Sequence, residues 1–264
     1  MSLSKRHFSL ALATLALLGA GATAQAQDAW AGIAKSKTIK IAVPTDYPPY
    51  GFAGLDLQPQ GLDIDVAKLI GEKLGAKVEL VPVVSANRIP YLQTGKADLV
   101  ISTLGKNPER EKVIDFTHAY APFFQGIFAK ADVSVKSFAD LSGKTIAVTR
   151  GAMEDEELAK VGPAGMIVKR FEDQAATTAA FASGQTQVVA TSVSNIATLA
   201  QKNPRLGAEY KLLLKDSPCF IGVAKGEDAL RDKVNAIILA AKADGTLGKL
   251  SQKWLKRDTG DLPL

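Results

Sequence analysis

"ADLVISTLGKNPER", residues 97–110, is the stretch on which the reading of the chain turns. Leu99, Val100 and Ile101 form a continuous apolar run, the pattern of a strand buried on both faces of a parallel sheet. The strand ends at Thr103, a loop carrying Gly105 turns into a helix, and the first amides of that helix are free to receive an anion. Arg110 stands one turn in, and its planar guanidinium can grip a carboxylate with two parallel hydrogen bonds. Such a strand-to-helix turn lies at the carboxyl end of a sheet, where open α/β folds place their ligands.

Strands and helices alternate on either side of this stretch. Residues 38–43 are β-rich, 62–74 read as a helix with Val66, Ile70 and Leu74 every four residues before Gly75, 78–81 return to extended structure, and 89–94 form a short helix. A second series repeats the pattern: strands at 145–149, 167–171 and 188–190 alternate with helices at 153–160 and 174–183, the latter stopped by Gly184. A helix at 193–201, a strand at 211–214, an apolar run at 219–224 and helices at 228–243 and 247–254 complete the chain. The expected fold is α/β, with two lobes that are each a mostly parallel sheet flanked by helices. No flexible Gly/Ser linker joins the halves, and the apolar runs 123–129 and 219–224 read as two hinge strands. The first lobe is expected from 27–125 and 222–264, the second from 126–221, with a ligand crevice between them.

The first 26 residues are set apart. Lys5, Arg6 and His7 lead into an apolar run, too short to span a bilayer, and then into small residues ending in Ala24-Gln25-Ala26, which reads as a cleaved secretory signal. Ala22-Thr23-Ala24 offers a second cleavage site two residues earlier. Of the full 264 residues, 238 then remain, with 30 basic against 27 acidic side chains once Lys5 and Arg6 are gone. That net charge of +3, spread along the chain, does not make a nucleic-acid surface. Cys219 is alone, so no internal disulfide forms. The expectation is a soluble periplasmic monomer without metal or cofactor.

Most enzyme chemistries are excluded on residue inventory. His118 is the only histidine after the signal and reads as a partly solvated connector, and neither H-E-x-x-H nor C-x-x-C occurs. No G-x-S-x-G elbow is present, and Gly143-Lys144-Thr145 lacks the first glycine of a phosphate loop and precedes a strand, so it reads as a turn. What remains is a binding protein or an enzyme working with carboxylates.

Six segments narrow the choice: "PTDYPPYGF" (44–52), "GLDIDVAKLIGEKLGAKVELVPV" (61–83), "RIPYLQTGKADLVISTLGKNPEREKVIDFT" (88–117), "FADLSGKTIAVTRG" (138–151), "FASGQTQVVA" (181–190) and "KADGTLGKLSQKWL" (242–255). Together they resemble the bacterial periplasmic solute-binding proteins, family 3, that deliver polar amino acids to ABC importers. The resemblance implies the two-lobed periplasmic binding protein fold, no enzymatic activity, a permease partner in the inner membrane and a small anionic ligand. It assigns the ligand's α-carboxylate to Arg110, helped by Thr103 and the backbone at Gly105; the bland alternative is a surface ion pair with Glu109 or Glu111. Tyr47 resembles the family's stacking aromatic, against the alternative of an aromatic packed under its loop, and Asp46 is an adjacent candidate contact.

"SANRIP" (85–90) is similar to the subgroup that binds glutamate and aspartate, in which the residues matching Ser85 and Arg88 hold a distal carboxylate. The alternative for Arg88 is a solvated charge on a helix turn. Arg150, Gly151, Ala152, Met153 and Ser192 are expected to form the closing face. This face departs from the family: Gly151-Ala152-Met153 stands where Gly-Thr-Thr is usual, and Thr191-Ser192 where an Asp normally meets the ligand ammonium. Glu154 or Asp46 takes over from that Asp, or the ligand is a dicarboxylate or keto acid without an amino group. A third implication comes from periplasmic cyclohexadienyl dehydratases, which also resemble this family and need a carboxylic acid, for which Glu154 is the candidate.

Overall fold

The structure, a computed structural model, describes residues 28–263; the expected signal peptide lies outside them. Helix α1 (Ala29–Ser36) leads into β1 (Thr38–Val43), followed by the short strands β2 (Asp46–Tyr47), β3 (Gly51–Ala53) and β4 (Pro59–Gln60). Then come α2 (Leu62–Leu74), β5 (Lys77–Pro82), α3 (Arg88–Gln93), β6 (Leu99–Leu104), α4 (Pro108–Glu111) and β7 (Ile114–Ala121). The chain crosses over at Pro122-Phe123 into β8 (Phe124–Ala129), β9 (Thr145–Thr149), α5 (Met153–Val161), β10 (Ile167–Phe171), α6 (Gln174–Ala182), β11 (Val188–Ser192), α7 (Val193–Lys202) and β12 (Glu209–Asp216). It returns at Ser217-Pro218 to β13 (Cys219–Ala224), α8 (Asp228–Ala243) and α9 (Thr246–Leu255).

Two five-stranded sheets result, in the orders β5-β1-β6-β13-β7 and β10-β9-β11-β8-β12. In each, four strands run in one direction and a single strand, β13 in the first sheet and β8 in the second, runs against both of its neighbours, so the sheets are mixed. The reason is the double crossing: β8 and β13 enter a sheet from the opposite side to its own β-α-β units. The expected boundaries after residues 125 and 221 fall inside β8 and β13, which pair along their length in the second and first sheet respectively. The Ser217 amide donates to the Phe123 carbonyl at 3.0 Å, holding the two crossings side by side.

Alternation along the central strands builds a core on each face. Ile39, Ile41, Leu99 and Ile101 point to one side of the first sheet, against α2, α8 and α9, while Ala42, Val100 and Leu104 point to the other, against Leu92 of α3. In the second sheet Ile146, Val148 and Val188 face Leu158 of α5, and Ala147 and Val189 face Phe181 of α6 and Ile196 of α7. Burying both faces requires the uninterrupted apolar runs seen at 99–101 and 188–190. His118 lies inside β7, half-buried, and is not a connector. Among the described residues no helix is long and apolar enough to cross a membrane.

Candidate functional site

The carboxyl ends of β1, β6, β9 and β11 face one another across the gap between the sheets, and the polar residues at those ends meet there. From the first lobe comes the turn between β6 and α4. Asn107 caps α4, its Oδ1 accepting from the Arg110 amide at 2.9 Å, with Pro108 at the first helical position. The Arg110 side chain then folds back into the gap and is 4% exposed. Its Nη1 donates to the Gly105 carbonyl at 3.0 Å, and its Nη2 reaches the second lobe, donating to the Gly151 carbonyl at 3.2 Å and to Glu156 Oε1 at 2.8 Å. Nε also donates to Glu156 Oε1, at 3.2 Å, and Glu156 Oε2 accepts from Asn107 Nδ2 at 2.6 Å. The expected alternative, pairing with Glu109 or Glu111, does not occur: those carboxylates take Lys112 and Lys106.

Arg88 is buried too, which removes the reading of a solvated charge. It donates to the carbonyls of Ser85 (3.0 Å), Ser102 (2.8 Å), Thr103 (3.3 Å) and, across the gap, Gly151 (3.1 Å). The residue expected to hold a distal carboxylate is therefore largely spent on the backbone. Ser85 contributes its carbonyl to Arg88 and opens the turn before α3. Burial, with Arg110 beside it, lowers the Arg88 pKa to about 10, which keeps it charged at neutral pH. Thr103 sits at φ +44°, a left-handed backbone unusual for a β-branched residue, and its amide donates to Asp63 Oδ2 at 3.0 Å. Asp63 Oδ1 accepts from the Tyr120 hydroxyl at 2.7 Å, and full burial raises its pKa to about 7.

Three further contacts join the lobes. The Tyr47 ring packs 5.3 Å from Tyr50 and 6.5 Å from Phe123, while its hydroxyl lies 3.2 Å from Thr191 Oγ1 and accepts from the Ser192 amide at 3.1 Å. Asn195 Nδ2 donates to the Pro48 carbonyl at 2.7 Å. The Asp46 carboxylate accepts from the amides of Gln174 and Ala175, at 2.7 and 3.1 Å, capping α6 from the opposite lobe. Asp46 is thus a connector between lobes. Ser192 turns its hydroxyl to its own helix, accepting from the Asn195 amide at 3.1 Å.

On the closing face Ala152 and Met153 are buried, and Met153 approaches the first lobe so closely that a Cβ on Gly105 would stand 2.6 Å from its methyl carbon. Gly151 adopts φ +70° and presses on Ala86, where any side chain would collide with backbone. Arg150 departs from expectation: it is exposed, bonded at 2.9 Å to Glu172, because the turn after β9 directs it away from the gap. Glu154, at the start of α5, is 3% exposed, lies within electrostatic reach of Arg88, Arg110 and Tyr47, and has an Oε1 without a hydrogen-bond partner. Burial raises its pKa to about 7, with Arg88 and Arg110 pulling it back down. Gln125 of β8, opposite Ser192 in the strand register, is also buried with both amide atoms unpartnered.

Asn107, Glu156, Asp63 and Gln125 escaped the sequence reading. The acidic run 154–157 signals only a helix start favoured by negative charge, not which carboxylate faces inward. Asp63 reads as another first-turn acid, and no local pattern marks Gln125.

Two helix-flanked sheets linked by paired crossings, with buried charges between their facing strand ends, define a two-lobed periplasmic binding protein. Residues 39–257 match the family described as bacterial extracellular solute-binding proteins, family 3, and the chain belongs to that family. The ABC transporter glutamine-binding protein of Bacillus subtilis is 30% identical over 97% of this chain and 100% of its own length. An ancestral arginine-binding protein bound to arginine superposes with a TM-score of 0.78 at 34% identity, covering 83% of this chain and 98% of that one. An ancestral amino acid-binding protein, a precursor of cyclohexadienyl dehydratase, gives 0.79 at 32%, covering 86% and 99%.

Proposed function

We propose that this is an extracytoplasmic solute-binding protein, exported to the periplasm by its signal sequence, that captures a polar amino acid between its lobes and presents it to an ABC importer. The observation that carries the reading is Glu154, a buried carboxylate beside two buried guanidiniums with an oxygen that bonds to nothing in the protein. A zwitterion complements that arrangement: its carboxylate takes Arg110 and its ammonium takes Glu154, replacing the Asp that relatives place where Thr191 and Ser192 stand. Asp46 is committed to α6, which leaves Glu154 for the role. A ligand without an ammonium would leave Glu154 Oε1 still without a hydrogen-bond partner, a cost for a buried polar group. Glutamine- and arginine-binding relatives support an amino acid. Ligand binding then selects the closed arrangement that a permease recognises.

Calorimetric titration of refolded, ligand-stripped protein with amino acids and with their des-amino counterparts tests this. Amino acids bind, and Glu154→Gln weakens them about tenfold or more while leaving the des-amino acids unaffected; dicarboxylates binding in their place would reject the reading. A second function, carboxylic-acid catalysis of the cyclohexadienyl dehydratase type, is favoured by the same buried Glu154, whose Oε1 is unpartnered and whose pKa burial raises in the direction a general acid needs. Aromatic product absorbance after incubation with prephenate or arogenate would establish it.

A further inference from the structure

We propose that Glu156 is an intramolecular rival of the ligand for Arg110, so that a ligand carboxylate enters by exchanging with the Glu156 carboxylate. The inference rests on the assignment of Arg110 to the ligand carboxylate. Glu156 sits where such a carboxylate would sit: Oε1 takes both Nε and Nη2 of Arg110, at 3.2 and 2.8 Å, and Oε2 is fixed by Asn107 Nδ2 at 2.6 Å. It comes from α5 of the second lobe, whereas Arg110 and Asn107 come from the first. The same pairing therefore holds the lobes together.

The two partners differ in what they lose on separation. The Arg110 side chain is 5% accessible and that of Glu156 36%. A glutamate at that exposure can swing into water at little cost, but Arg110, whose Nε bonds to Glu156 and not to any carbonyl, is too buried for water to take the place of that anion. Exchange of one carboxylate for another meets that condition, and entry of a ligand lacking a carboxylate does not. Glu156 thereby makes the site select for a carboxylate, and it sets the affinity, because each ligand must outcompete it. Glu154 cannot take this part: it is deeply buried and makes no hydrogen bond to either arginine.

Glu156→Gln keeps shape and removes the charge. Asn107→Asp keeps the oxygen that caps α4 and replaces the amide donor by a repelling carboxylate. Both variants, ligand-stripped, are titrated with L-glutamine, L-glutamate and L-arginine as probes, and with the corresponding α-carboxamides. In parallel, lobe separation is read from the distance between spin labels at Lys73→Cys and Lys169→Cys, both exposed, Cys219 being buried and unreactive. The free amino acid bound by the wild type is bound about tenfold tighter by Glu156→Gln, the α-carboxamide shows no gain, and the label distance widens in both variants. Unchanged or weaker binding of the free amino acid overturns the proposal, weaker binding showing that Glu156 holds the ligand itself. If no probe binds any version, the amino-acid reading fails and the label distance decides alone: widening upholds the rival pairing, and an unaltered distance overturns it.

Discussion

Replacing Gly151 with alanine separates what folds this chain from what closes it. Gly151 lies in the turn from β9 to α5 at φ +70°, where an L-residue costs about 1–2 kcal/mol. That cost is present whether the lobes are together or apart, and for a protein of this size it lowers the melting temperature by roughly 2–8 °C. The second cost exists only when the lobes meet. The new Cβ would stand 2.9 Å from the Ala86 Cα and 3.2 Å from its nitrogen, against roughly 3.5–4.0 Å for a relaxed carbon contact. The lobes must therefore part locally by about half an ångström or more. The bonds from Arg88 and Arg110 to the Gly151 carbonyl, already 3.1 and 3.2 Å, then stretch past useful length. Overpacking of this kind costs about 1–3 kcal/mol, or roughly five- to 150-fold in the affinity of any ligand that needs closure. Melting curves without ligand measure the first effect, and titration with the best-bound amino acid measures the second. A lowered melting temperature with affinity within about twofold of wild type would show that the bound form does not press Gly151 against Ala86, and would refute the reasoning.

Tyr47→Phe keeps the ring among Tyr50 and Phe123 but leaves the Ser192 amide without its acceptor. Because that bond spans the lobes, about 1–3 kcal/mol should be lost from closure, seen as weaker binding with a smaller change in the melting temperature of ligand-free protein; equal losses in both would argue against it. Asp63 should make stability depend on pH. Its folded pKa, raised from 3.8 to about 7, means that the folded state holds a proton the unfolded state has released, so this contribution is complete below pH 3.8 and lost as pH rises through about 7. Glu154 acts with the same sign. Melting temperature should thus fall between pH 5 and 7.5, and less steeply in Asp63→Asn; parallel curves for the two proteins would contradict the assignment.

Much of the fold was legible because the signals are local. The strands at 38–43, 145–149, 167–171 and 219–224 and the helices at 62–74 and 228–243 coincide with the structure residue for residue. The site was legible only as a set of addresses. Arg88 and Arg110 are buried with bonds that cross the gap, whereas Arg150, equally basic and also at a strand end, points outward to Glu172. Asp46 proved to be the acceptor for a helix of the opposite lobe, 128 residues away.

The amino-acid sequence by itself determined the alternation of strands and helices, the two lobes and the family, because side-chain periodicity, glycine stops and turn chemistry act over a few residues. The tertiary structure alone decided which charges meet. Glu156 lies 46 residues from Arg110, and Gly151 lies 63 residues from Arg88; no local pattern ties them. An arginine carries the same charge in a cleft or on a surface. What it does depends on which carbonyls and carboxylates the closing lobes bring within about 3 Å of it.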